Sequence, residues 1–238
     1  MTKAVVLFSG GMDSLACLYW AMERYEDILI LSFLYGSKED QAISKVSNKI
    51  ASLLSIENKI IELPFLKEFS QKAKSSLVEN NIELPKITSF EQLDQVELTS
   101  QTAKEVWIPG RNILFLSIAA SFADSTKVPT DIIFGANQEE GTTFPDNTLE
   151  FVNRMNESIE MGCLNQIKIQ APFHDKDKRE IVIFLERNQA CISYSSSCYQ
   201  IEAWTNDEQP IHCGICESCQ RRKRAFQFAN INDPTVYR

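Results

Sequence analysis

Apolar positions along the chain follow two rhythms that take turns. Ala4-Val5-Val6-Leu7-Phe8 is a continuous apolar run of strand length, and beyond a glycine turn Leu15, Leu18, Tyr19 and Met22 recur at helical spacing. Ile28 to Tyr35 is a second strand-like run, Ile43, Val46, Ile50 and Leu53 mark one face of a helix, and Lys59-Ile60-Ile61-Glu62-Leu63 reads as a third short strand. Residues 65–105 are polar and poor in helical pattern, which predicts an excursion with one or two helices. The alternation then resumes with an apolar helix from Ile113 to Ala123, a strand from Asp131 to Gly135, a helix from Leu149 to Met161, a strand Ile167-Lys168-Ile169-Gln170 and a helix from Asp177 to Arg187. Strands that alternate with helices and lack hairpin signals predict a parallel sheet covered on both faces, the α/β class. No internal repeat or low-complexity segment interrupts the pattern. The division it predicts is an α/β domain over residues 1–190 and a small C-terminal element with a closing helix over 191–238.

Composition changes this picture in two respects. A chain of 238 residues, 44% hydrophobic, buries one sizeable core, and a net charge of -8 argues against wholesale binding to a nucleic-acid backbone. The N-terminus Met1-Thr2-Lys3 leads straight into a strand, and no apolar run is long enough to span a bilayer, so a cytoplasmic protein without membrane contact is expected. Of seven cysteines, Cys17, Cys163 and Cys191 are scattered in apolar or helical surroundings and read as small buried residues. Cys198, Cys213, Cys216 and Cys219 crowd a short C-terminal stretch, which in a reducing compartment predicts a metal site rather than disulfides.

Chemistry concentrates in the first turn after a strand, Ser9-Gly10-Gly11-Met12-Asp13-Ser14. Its glycines allow close backbone approach to an anion, and its amides and hydroxyls at a helix start form a phosphate cradle. An ordinary strand–turn–helix junction is the competing reading of a bare glycine pair, but the full pattern is more specific. It is neither the Walker A sequence nor a dinucleotide fingerprint, and it resembles the PP-loop of ATP pyrophosphatases, which hold ATP there and transfer AMP to an oxygen. The cysteine cluster offers four thiolates, a closed tetrahedral set suited to structural zinc; an iron–sulfur cluster is the alternative. Gly214 suits a tight knuckle between ligands, and His212 reads as a neighbour of the metal rather than a ligand.

Together the two motifs, with Tyr35-Gly36, Trp107-Ile108-Pro109-Gly110-Arg111-Asn112, Gly135-Ala136-Asn137, Phe144-Pro145-Asp146, Glu150-Phe151, Ala171-Pro172-Phe173, Lys178, Arg221 and Ala225-Phe226, resemble the 7-cyano-7-deazaguanine synthases along nearly the whole chain. The resemblance implies a Rossmann-like sheet of the adenine nucleotide alpha hydrolase type, a homodimer, one structural Zn²⁺ per chain, and ATP with Mg²⁺. It further implies adenylation of 7-carboxy-7-deazaguanine, displacement by ammonia to the amide, and a second ATP-driven dehydration to the nitrile. On this reading Ser9, Gly10, Gly11, Met12, Asp13, Ser14, Gly110 and Arg111 bind ATP, and Asp13, Arg111 and Lys178 act in the chemistry. Tyr35, Asn112, Asn137, Phe144 and Asp146 bind the substrate, while Cys198, Cys213, Cys216 and Cys219 hold the metal.

Each role has a plainer competitor: an acid-paired surface arginine for Arg111, a solvated helix lysine for Lys178, and helix N-capping for Asp146 or Asn147. The chain also departs from the family. Ser37-Lys38-Glu39-Asp40 replaces Gln-Arg-His, Glu139-Glu140-Gly141-Thr142-Thr143 precedes Phe144-Pro145-Asp146, the Cys-Arg pair after Asp146 is missing, and Cys198 stands far from Cys213. These differences border the implied substrate pocket and leave the PP-loop intact, so a second reading is a relative that joins the activated acid to another amine, such as a protein N-terminus. Two other classes are a PP-loop enzyme that modifies tRNA, with Arg221-Arg222-Lys223-Arg224 as an RNA contact, and a zinc-knuckle binding module. Against the first, four charges on one helix turn predict a solvated face; against the second, a binding module has no need of the PP-loop.

Overall fold

Strand β1 (Lys3–Leu7) is apolar on both faces and accordingly takes the centre of a five-stranded parallel sheet. The structure, a computed structural model, describes residues 2–238. Strands β2 (Ile28–Leu34) and β3 (Glu57–Glu62) extend the sheet on one side, β4 (Thr130–Ile133) and β5 (Ile167–Gln170) on the other, in the order β3-β2-β1-β4-β5. All four pairings are parallel. The pleat sorts the side chains: Ala4, Val6, Phe8 and Ile30 point to one face, and Val5, Leu7, Leu29, Leu31 and Phe33 to the other. Helices α1 (Met12–Met22), α2 (Asp40–Leu54) and α8 (Lys178–Arg187) cover the first face through Leu15, Leu18, Val46, Ile50, Ile181 and Leu185. Helices α5 (Arg111–Thr126) and α7 (Leu149–Gly162) cover the second through Leu116, Ala119, Val152 and Ile159. The fold is α/β and Rossmann-like, as the alternating pattern predicts.

The 65–105 excursion contains α3 (Pro64–Lys72), a 3₁₀ turn at Phe90–Asp94 and α4 (Val96–Glu105). It is tied down at both ends of its loop. Lys38 Nζ donates to the carbonyls of Ser76 and Ile82 at 2.8 and 3.0 Å, and Ile87 N donates to Ile215 O at 2.9 Å in the cysteine knuckle. The short helix α6 (Gln138–Gly141) follows β4.

The C-terminal element differs from the sequence pattern in one respect. It holds a second sheet, β6 (Ala203–Trp204), β7 (Pro210–His212) and β8 (Val236–Tyr237), in which β6 and β7 form an antiparallel hairpin. The turn signal is Asn206-Asp207 ahead of Glu208 at φ +64, but its strands are too short to show a period. Helix α9 (Glu217–Ala229) packs along α8 and sends Ala225 and Phe226 into the main core.

Candidate active site and metal centre

The strand order reverses between β1 and β4, and a cavity opens there above the carboxyl ends of the strands, where an open α/β sheet places its ligands. The Ser9–Ser14 turn forms its floor. Gly10 has φ +83, and a Cβ there would stand 3.0 Å from Val46 Cγ1, so both conformation and the approach of α2 require glycine. Gly11 is the N-cap of α1 and no side chain caps that helix, which leaves its first amides to a ligand. Ser14 Oγ donates to Gly11 O at 3.0 Å, holding the turn closed. From the facing loop, a Cβ on Gly135 would lie 3.4 Å from Ser14 N, so β4 presses its exit onto the start of α1.

Lys178, the first residue of α8 and enclosed by the Asp177–Glu180 capping box, is only 6% exposed. Its ammonium lies 2.8 Å from Asp13 Oδ2 and 2.8 Å from Glu140 Oε1. Burial alone would discharge it, but the two carboxylates outweigh burial and hold the lysine charged. Burial raises Asp13 against the pull of Lys178, whereas Glu140 is held down by Lys178 despite its own burial. The solvated-lysine alternative is therefore removed. Asp13 Oδ1 is buried with no partner among the described residues, an acceptor that fits a divalent cation.

Arg111 opens α5 behind Gly110, which has φ +61. Among the described residues its guanidinium makes one hydrogen bond, to Tyr35 Oη at 3.4 Å, and no ion pair, so most of its fork faces the cavity free. Tyr35 is buried, and burial pushes its phenol up. Asn112 Nδ2 reaches Asp146 O at 3.4 Å and so holds the Pro145–Asn147 3₁₀ turn. Asp146 lines the cavity, with Oδ1 accepting from Asn147 Nδ2 at 3.3 Å; burial raises its carboxyl and Arg111 opposes the rise. Neither Asp146 nor Asn147 caps α7, since Thr148 does so by accepting from Phe151 N at 3.2 Å. Phe144 and Trp107 stand parallel at 11° with ring centroids 6.1 Å apart, both on the cavity wall.

The cavity wall thus gathers Ser9, Gly11, Met12, Asp13, Ser14, Tyr35, Arg111, Asn112, Phe144, Asp146 and Lys178. Gly10, Gly110 and Asn137 stand behind it. Asn137, 0% exposed, accepts from Glu140 N at 3.0 Å and orients the α6 turn. Sequence reasoning missed Ser196, Ser197, Tyr199 and Glu217 of this wall, and it named Glu39, Glu139, Glu140 and Arg221 without giving them a site role. Glu139 and Glu140 follow a β4 exit that the pattern places, so their position at a strand's carboxyl end was the available signal. Ser196 to Tyr199 and Glu217 reach the cavity only through the long-range docking of the C-terminal element, which no local pattern announces.

The four clustered cysteines converge, with Sγ atoms all within 4.8 Å of one another and Cys213 and Cys219 at 3.9 Å. A tetrahedral zinc with Zn–S of about 2.3 Å needs sulfurs about that far apart, so the donor set fits a thiolate-bound metal. Backbone amides of Cys213 and Cys216 face the sulfurs of Cys198 and Cys213 at 3.4 Å each, a placement that favours thiolates. Gly214 takes φ +73 in the knuckle, and Gln220 and Lys223 donate to its carbonyl at 2.7 and 3.0 Å. His212 is buried behind the knuckle and is not among the converging ligands; burial, reinforced by Arg222, pushes its imidazole down to about 3. Of the scattered cysteines, Cys17 is buried, while Cys163 and Cys191 are half-buried.

The expected solvated face at Arg221–Arg224 is corrected by the structure. Arg221 pairs with Glu217 at 2.7 Å and Glu139 at 3.5 Å, and Arg224 pairs with Asp94 at 2.7 Å and Glu139 at 3.2 Å. Arg222 is fully buried, and Lys223 lies 4.2 Å from the centre of the Tyr237 ring. These charges are used internally because α9 is wedged between α8, the excursion and the second sheet, so an RNA contact has little cationic surface to use here.

A sequence model of the family described as queuosine biosynthesis protein QueC matches residues 3–230. The 7-cyano-7-deazaguanine synthase of Pyrococcus furiosus is 47% identical over 235 residues, covering 99% of this chain and 96% of that protein. That of Methanococcus vannielii is 41% identical over 240 residues, covering 99% of this chain and 98% of that protein. Among solved structures, the U34-tRNA thiolase NcsA of Methanococcus maripaludis with its [4Fe-4S] cluster matches with a TM-score of 0.47 and 14% identity, over 96% of this chain and 65% of that one.

Proposed function

The chain belongs to the queuosine biosynthesis protein QueC family, and from that premise we propose that it is an ATP-dependent 7-cyano-7-deazaguanine synthase. It would adenylate the carboxylate of 7-carboxy-7-deazaguanine, couple it to ammonia, and convert the amide to the nitrile with a second ATP. The observation that carries this reading is one cavity that joins the free start of α1, the Asp13–Lys178–Glu140 network and the Arg111 fork, bonded only to Tyr35 among the described residues, to the Trp107–Phe144 wall.

The amides of the Ser9–Ser14 turn would take the β and γ phosphates. Arg111 and Lys178 would neutralise charge that grows on the leaving pyrophosphate as the substrate carboxylate attacks the α-phosphorus. A Mg²⁺ ion held through Asp13 would add charge neutralisation of the same kind. Because Lys178 already faces two carboxylates, its ammonium is fixed in place before ATP arrives, which avoids reorganisation at the moment of reaction. At the other end of the cavity, a flat bicyclic ring suits the face of Trp107 or Phe144, and the Asp146 carboxylate suits the adjacent N–H donors of a guanine-like edge. Adenine lacks that pair of donors, so Asp146 favours the deazaguanine over the nucleotide at this end. The metal centre is best read as structural zinc, since four thiolates leave no open position. None of the seven cysteines is in a disulfide, which suits a reducing, cytoplasmic setting.

Mass spectrometry of products after incubation with ATP, Mg²⁺, 7-carboxy-7-deazaguanine and ammonium tests the reading. Nitrile is the expected product. Amide that accumulates without nitrile would limit the enzyme to the first round, and unconsumed ATP would overturn the proposal.

A further inference from the structure

Arg222 has no part in the chemistry proposed above, yet it is 0% exposed and its guanidinium is spent on the Ile192–Ser197 stretch and on Asp233. NH1 donates to Ser195 Oγ at 2.8 Å and Ser197 Oγ at 3.3 Å, NH2 to Ile192 O at 3.3 Å, and Nε to Asp233 at 3.4 Å. Ser195 Oγ in turn donates to Ile192 O at 2.7 Å, so the turn before the segment is locked as well.

That stretch lies against the phosphate loop. Ser196 N donates to Gly10 O at 2.7 Å. The Gly10–Gly11 peptide is trans, and a trans peptide holds its C=O and N–H antiparallel. Fixing the Gly10 oxygen therefore fixes the direction of the Gly11 N–H on the opposite side. Among the described residues the Gly11 N–H meets only Ser9 Oγ, at 3.5 Å, beyond good hydrogen-bond length, and Gly11 lines the cavity. It is a donor aimed and left for a ligand. Gly10, with no Cβ and φ +83, has the conformational freedom to rotate this peptide if nothing holds it.

We propose that Arg222 is a positioning residue for ATP: it clamps the Ser195–Ser197 segment, which clamps the Gly10 carbonyl, which aims the Gly11 N–H at a phosphate oxygen. The inference rests on the reading of this loop as the ATP phosphate site. It also gives the buried arginine a role that stability alone does not need, because an apolar side chain would fill the same space without four acceptors to satisfy.

Isothermal titration of the full chain with ATP and, separately, with 7-carboxy-7-deazaguanine tests the clamp in Arg222→Lys and in the double variant Ser195→Ala/Ser197→Ala. Lysine keeps the charge but lacks the planar guanidinium whose three nitrogens together hold the two serines, Ile192 O and Asp233. The double variant removes the two hydroxyl acceptors and keeps the arginine, so it decides the matter if Arg222→Lys does not fold. The expected result is an ATP Kd raised about tenfold in a folded variant, with the acid's Kd within about twofold of wild type. An unchanged ATP Kd in the double variant, or equal weakening of both ligands, would overturn the clamp. Wild-type protein that binds no ATP would overturn the proposed function together with it, whereas wild-type binding with insensitive variants sinks the clamp alone.

Discussion

A lysine this buried stays charged only because Asp13 and Glu140 each stand 2.8 Å away, so its removal strands two carboxylates in a desolvated site. Lys178→Met should lower turnover by at least about 10²-fold and lower Tm, with the Tm deficit smaller in acid, where the stranded carboxylates can protonate. Steady-state kinetics and melting across pH check this; a deficit independent of pH would mean the two acids were not the lysine's burden. Glu39 carries the opposite linkage. Burial raises its carboxyl from 4.5 to about 7, against the pull of Arg111. With the folded value above the unfolded one, the folded state binds more protons in that window. This group therefore subtracts stability as pH climbs from about 4.5 to about 7, and the loss persists above it. Glu39→Gln should raise Tm at about pH 8 and leave it nearly unchanged at about pH 4, where both states are protonated. An equal change at both values would contradict the assignment. Lys178 was legible in the sequence from its place at a helix start after Ala171-Pro172-Phe173. Glu39 stood on the page only as a departure from the family pattern, because its surroundings include Arg111 and Tyr199 from distant parts of the chain.

Elements were legible where their period was long enough to read. The helix from Ile113 to Ala123 proves to be Arg111–Thr126, and the strand Ile167–Gln170 appears unaltered. The β6–β7 hairpin was not, because two- and three-residue strands carry no rhythm. Helix α9 shows the limit from the other side: a run of four cations reads as a solvated face until its own first turn supplies Glu217 and tertiary contacts supply Glu139, Asp94 and Asp233. The β1–α1 junction is the element whose geometry was most fully written in its residues, and it allows a controlled comparison of two glycines. Gly10 and Gly110 both hold positive φ, +83 and +61, but a Cβ on Gly10 meets Val46 at 3.0 Å while one on Gly110 meets nothing within 4 Å. Gly110→Ala should therefore cost only the left-handed penalty, about 1 kcal/mol. Gly10→Ala should cost that plus the displacement of α2, roughly 2–4 kcal/mol in all, and should weaken ATP. Chemical denaturation of the two variants gives the comparison; equal losses would show that α2 yields freely and that only the backbone conformation matters at the loop.

At the scale of the whole molecule, the two-faced sheet followed from the sequence because β1 and β2 are apolar on consecutive positions and helices alternate with the strands, while the return of the C-terminal element over the cavity did not, since it is made by contacts between residues far apart in the chain. Those contacts pass through the cysteine cluster. Cys198 directly follows the Ser195–Ser197 segment, Cys216 caps α9, and the knuckle bonds the excursion through Ile215 O and a bridge between Cys216 and Lys86. Four sulfurs within 4.8 Å of one another favour thiolates only if a cation is among them, so binding of a metal there would couple to the assembly of this wall. Elemental analysis of the purified protein should find one zinc per chain and no visible charge-transfer band of an iron–sulfur centre. Stripping the metal with a strong chelator, or Cys219→Ser, should lower Tm, by about 2–4 °C for each kcal/mol lost in a chain of this size. ATP affinity should fall with it, although no cysteine touches the phosphates, because Ser196 then loses its anchor beside Gly10. A lower Tm with ATP affinity intact would confine the metal to the C-terminal element; a metal-free protein unchanged in both would mean the sulfurs hold together without it.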